Sequence, residues 1–74
     1  MGAVPPHVQK AIKGYQASSA PGSTIDEIEL ETEAGKKTYE FDLIKTDGTE
    51  VEVEIDENGA ILEVEEEEES LGTK

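Results

Sequence analysis

The sequence contains no cysteine and no arginine, one histidine, two tyrosines, one phenylalanine and no tryptophan. Without cysteine there is no disulfide framework to staple a small fold and no thiolate to hold zinc. A single histidine has no second imidazole with which to share a metal. No apolar run approaches the ~18 residues needed to cross a membrane as a helix. Met1 to Val4 lack the basic start and apolar stretch of a signal peptide. The length of 74 residues leaves room for one domain and one thin core. That excludes a two-lobed enzyme with a cleft and a dinucleotide-binding fold.

What is abundant is carboxylate. Nineteen acids against six lysines give a formal net charge of −13. Phosphate backbones are gripped by lysine and arginine, so this balance argues against nucleic acid as a partner. It equally argues against a polybasic role at a membrane surface. The charge is also divided. Residues 1–24 carry Lys10 and Lys13 and no acid, whereas residues 25–74 carry four lysines and all nineteen acids. Two structural roles follow from that asymmetry.

The first part reads as a helix over residues 6–19. Pro5-Pro6 suits a helix start, where a missing N–H is harmless. Val8, Ala11, Ile12 and Tyr15 fall at i, i+3, i+4 and i+7, forming one apolar stripe. Ser18, Ser19, Pro21, Gly22 and Ser23 then end it in a loop.

From Ile25 the period drops to two. Ile28 and Leu30; Tyr39, Phe41 and Leu43; Val51, Val53 and Ile55; and Leu62 and Val64 each alternate with acids. Four half-buried strands result, each apolar on one face and acidic on the other. Opposed residues of an antiparallel pair share a face, which tests the turns. At Thr46-Asp47-Gly48 a three-residue loop with Gly48 left-handed sets Leu43 against Val51 and Phe41 against Val53. A two-residue Asn58-Gly59 turn opposes Glu57 to Ala60, Ile55 to Leu62 and Val53 to Val64. A two-residue Gly35-Lys36 turn sets Leu30 against Phe41 and Ile28 against Leu43. The expected fold class is α+β: one N-terminal helix packed on a four-stranded antiparallel meander. Its expected core is Val8, Ala11, Ile12, Tyr15, Ile28, Leu30, Tyr39, Phe41, Leu43, Val51, Val53, Ile55, Leu62 and Val64. Residues 5–66 form the domain, with a disordered leader at 1–4 and an acidic disordered tail at 67–74.

The candidate surface is the acidic sheet face. Glu29, Glu31, Glu40, Asp42, Glu52, Glu54 and Glu63 are its partner-binding candidates, with Glu27, Glu50 and Glu65 beside them. Like charges opposed across strands destabilise a sheet, so the face is either a solvated coat or a surface for a protein with a basic patch. A row of carboxylates imitating the phosphates of DNA, or a scaffold with no partner, are the other readings.

Weak calcium binding is the alternative chemistry. The run Glu54 to Glu65 partly matches an EF-hand loop, with acidic or amide residues at Glu54, Asp56, Asn58 and Glu65 and the turn glycine at Gly59. Glu54 is a poor first ligand, and the flanks alternate as strands, so an Asn-Gly hairpin explains the same residues. His7 stands alone at the helix start and reads as an exposed end residue. Ser18, Ser19 and Ser23 have no base in a pocket. A flat exposed face gives no cleft for a hydrolytic carboxylate pair. No catalytic residue and no cofactor is assigned.

Three stretches carry a family resemblance: Gly35-Lys36-Lys37-Thr38-Tyr39-Glu40-Phe41-Asp42, Asp47-Gly48-Thr49-Glu50-Val51-Glu52-Val53, and Asp56-Glu57-Asn58-Gly59-Ala60-Ile61-Leu62-Glu63-Val64. With the N-terminal helix and its Pro-Gly loop, residues 5–66 resemble the PepSY and PepSY-like domain family. Gln16 to Ala20, where the family is usually shorter, and Phe41, where it has valine, are departures. The resemblance implies a non-enzymatic module of secreted, periplasmic or membrane-tethered proteins, acting by protein contact and in some cases as a peptidase inhibitor.

Overall fold

The computed structural model describes residues 4–67. Helix α1 spans Pro6–Ser19 and is followed by strands β1 (Thr24–Glu33), β2 (Lys36–Ile44), β3 (Glu50–Asp56) and β4 (Ile61–Glu67). The sheet order is β1-β2-β3-β4, all antiparallel, so the expected α+β meander is the observed one.

Pro6 opens α1, and the Pro5 carbonyl accepts from the Val8 and Gln9 amides at 3.0 and 2.9 Å. Val8 and Ile12 are fully buried on one stripe, with Ala11 and Tyr15 packed at its margin. The segment that departs from the family pattern is the last turn of this helix. There Gln16 Nε2 donates to the carbonyl and hydroxyl of Ser23 at 3.0 and 3.2 Å, and Ala20 is buried. Gly14 sits on α1 with open space where a Cβ would go. Gly14→Ala is therefore expected to raise stability by about 0.5–1 kcal/mol in a chemical melt.

The core lies between α1 and the two central strands. Phe41 and Leu43 of β2 and Val51, Val53 and Ile55 of β3 are fully buried, with Tyr39 nearly so. Their register is the expected one: Leu43 opposes Val51, Phe41 opposes Val53 and Tyr39 opposes Ile55. Ile28, Leu30, Leu62 and Val64 do not join them, with exposures of 37% to 54%. For Ile28, Leu30 and Val64 the reason is width. A helix is about 10 Å across, whereas four strands ~4.8 Å apart present a broader face. One helix shields two strands and leaves the apolar rows of both edges in solvent. Leu30→Ser and Leu62→Ser should each shift the melting midpoint only slightly, on the order of 0.5 kcal/mol, as exposed side chains do.

Val4 belongs to the core rather than to a leader. It is buried at 7% exposure, and its carbonyl accepts from Gln9 Nε2 at 2.7 Å, so the chain is tied down before α1 begins. Glu67, expected as the first residue of the tail, ends β4 opposite Glu50; the rest of the expected leader, residues 1–3, and of the expected tail, residues 68–74, lie outside the described residues.

Two turns differ from expectation. The β1–β2 loop is Ala34-Gly35, not Gly35-Lys36. Both residues have positive φ, 52° and 79°, the geometry of a twisted two-residue hairpin. Leu30 therefore opposes Tyr39 and Ile28 opposes Phe41, a shift of two that keeps every side chain on its face. A bulge at Asp26 then lets Ile25 meet Leu43. In the β3–β4 connection the loop is the three-residue Glu57-Asn58-Gly59. The Asp56 amide donates to Ala60 at 2.9 Å, and the Gly59 amide donates to the Asp56 carbonyl at 3.0 Å. Ile55 consequently opposes Ile61, and Leu62 is extruded as a bulge before Val53 meets Val64. The longer loop and the bulge each displace the register by one and cancel, which is why Val53 against Val64 still holds.

Candidate functional site

The face of the sheet turned away from α1 is built by the strand period alone. Two complete carboxylate rows cross all four strands. One is Glu29, Glu40, Glu54 and Glu63; the other is Glu27, Asp42, Glu52 and Glu65. Neighbours within a row are one strand spacing apart, ~4.8 Å, and the rows are ~7 Å apart along the chain. Glu31 extends β1's acids beside the first row, opposite Thr38. All seven sequence-assigned partner residues thus share this face. Glu40, Glu52, Glu54, Glu63 and Glu65 line a shallow depression in it.

Crowding shows in the proton affinities. Partial burial, then the charge of Glu52 and a hydrogen bond shared with it, hold the Glu40 carboxyl up at about 7. The Glu31 charge and a hydrogen bond with Glu29 act in the same direction. Burial also raises Glu52, helped by the charges of Asp42, Glu65 and Glu67, while the hydrogen bond from Glu40 opposes the rise. On the helix side of the sheet, Lys45 lies 2.9 Å from Glu66 and is held protonated mainly by that hydrogen bond.

The calcium candidates are placed apart. Residues 54–65 are a hairpin and two strand ends, not a helix-flanked loop. Glu54 and Glu65 stand in different rows. One oxygen of Asp56, Oδ1, accepts the amides of Asn58 and Ala60, both at 2.9 Å, and so shapes the turn. Among the described residues, Glu29, Glu31 and Glu40 each bring one carboxylate oxygen within 4.8 Å of the others. That triplet depends on the Ala34-Gly35 turn. The turn placed one residue later would have shifted the register by two and opposed Glu29 to Asp42, so the sequence pattern did not reveal it.

The remaining candidates are locally engaged. His7 is exposed at the start of α1, with its carbonyl against Gly59. Ser18 Oγ donates to the Gly14 carbonyl at 3.0 Å, and Ser23 receives Gln16. These hydroxyls lie at the opposite end of α1 from His7.

Most of the helix and of the meander, with the Asp-Gly and Asn-Gly loops, falls within one family model, described as the peptidase propeptide and YPEB domain, which matches residues 8–65. The chain belongs to the PepSY family. No curated protein and no solved structure matches it. PepSY domains are propeptide and inhibitory modules rather than catalytic ones, and they typically occur in extracellular or periplasmic proteins. Among the described residues of this PepSY chain, no helix is long and apolar enough to cross a membrane.

Proposed function

We propose that this PepSY chain is an extracytoplasmic regulatory module that binds a protein through its acidic sheet face, in the manner of a propeptide or peptidase inhibitor. The observation that carries the reading is the pair of complete carboxylate rows. Opposed like charges destabilise the free sheet, and a basic partner surface relieves that repulsion as it docks. Charges of this kind also accelerate encounter and exclude acidic partners.

The test is affinity capture from the secreted or periplasmic fraction of the parent cells, comparing the native chain with a variant carrying Glu40, Glu52, Glu54 and Glu63 as glutamine. A specific protein should be retained by the native chain, released at high salt and lost from the variant. Equal retention by both chains would defeat the reading.

A second reading rests on Glu29, Glu31 and Glu40. Three carboxylate oxygens within 4.8 Å suit loose binding of a divalent cation. Calcium should then raise the melting temperature of the native chain and not of Glu31→Gln. An identical calcium response in both removes this site.

A further inference from the structure

Strand β1 lies at one edge of the sheet, so its outward backbone groups face no other strand among the described residues. It is the longest strand, it contains no lysine or proline, and beyond its one bulge at Asp26 its pairing to β2 runs without interruption from Glu27 to Glu33. Natural edges are usually blunted by such residues, by bulges or by short length. The opposite edge is blunted in two ways. Leu62 bulges from β4, and Glu66 takes the place after Val64 on the helix side, where it pairs with Lys45.

The two flanks of β1 differ in chemistry. On the helix side Ile28 and Leu30 are 37% and 54% exposed, because the core under α1 is centred on the two central strands. On the other side the strand ends a row at Glu29 and a second row at Glu27, with Glu31 next along. A strand added here must place apolar side chains beside Ile28 and Leu30 and cations beside the glutamates. A second copy of β1 cannot do this, since it would set carboxylate against carboxylate.

We propose that the free edge of β1 is a docking site for an extended segment of a partner protein in which apolar residues alternate with lysine or arginine. The segment adds as a fifth strand, so its main chain supplies affinity and its alternation supplies specificity. This rests on the basic-partner reading above and adds the partner's local conformation and its place of entry.

The test uses the full chain and three short capped peptides. One alternates lysine and valine, one has the same composition in two blocks, and one alternates glutamate and valine. Amide hydrogen exchange and NMR shifts locate each one. The alternating basic peptide should slow exchange of β1 amides directed away from β2 and bind about tenfold or more tightly than the block peptide. Glu29→Lys with Glu31→Lys should abolish that binding and favour the glutamate peptide instead. Leu30→Ser should weaken it with little change in melting temperature.

Equal binding of both basic peptides over the acidic face, without protection at β1, overturns the edge site while leaving the basic-partner reading intact. Protection at β4 likewise overturns it. So does protection of β1 that grows with protein concentration in the absence of peptide, which would reveal a second copy. Failure of both basic peptides to bind counts against the basic-partner reading itself.

Discussion

Gly59→Ala is expected to destabilise the domain by about 2–4 kcal/mol, a large share of what a domain this small holds in reserve. Two causes combine. Gly59 has φ +93°, where a side chain strains the backbone by about 1–2 kcal/mol. A Cβ there would also lie 2.8 Å from the His7 carbonyl oxygen and 3.3 Å from its carbon. That obstacle is main chain at the start of α1, so relief requires moving the helix off the 57–59 loop. Gly48→Ala separates the two causes. Gly48 has φ +91°, but nothing lies within 4 Å of its Cβ position, so it should carry the strain alone, about 1–2 kcal/mol. Urea melts of both variants check this, and equal losses would show that the helix contact adds nothing.

The second large effect is a reversed pH dependence. Glu40 titrates at about 7 in the folded chain against an ordinary value of 4.5. Between those values the folded state holds more protons than the unfolded one, so stability falls as pH rises through the window. The contribution is fully present below pH 4.5 and lost above about 7. Glu52 is shifted in the same direction. Asp47 acts oppositely and at lower pH: its carboxylate accepts the Thr49 amide at 2.9 Å, which lowers its affinity for protons. Its contribution is present above the ordinary 3.8 and lost as pH falls below it. The melting temperature should therefore be several degrees higher near pH 5 than near pH 8. Glu40→Gln should raise the pH 8 value and scarcely move that at pH 5, and added salt should mimic it by screening the rows. A melting temperature that is flat or rises from pH 5 to pH 8 would contradict the crowding of the acidic face.

Both effects bear on function. The first concerns how α1 is seated over the central strands, which leaves the flanks of the sheet uncovered. The second measures the repulsion that a basic partner would relieve. If the pH dependence is strong, binding of such a partner should itself stabilise the fold more at pH 8 than at pH 5.

The sequence by itself determined the helix, the four strands, their order and the face each side chain takes. Those depend on periods of 3.6 and 2, which are local properties of the chain. The acidic face was legible for the same reason: a register shift by an even number of residues, as between β1 and β2, leaves each glutamate on its side. Three matters were decided only in three dimensions. Which carboxylates are neighbours depended on the turn at Ala34-Gly35, and alanine at positive φ carries no signal for such a turn. The compensating loop and bulge around Leu62 left the face pattern intact, so alternation was blind to them. The extent of the core depended on the width of a helix against that of a sheet. Ile28, Leu30 and Val64 have the pattern of buried residues, yet one helix is too narrow to cover the strands that carry them. That mismatch leaves apolar side chains beside a free backbone edge, where the proposed partner strand would lie.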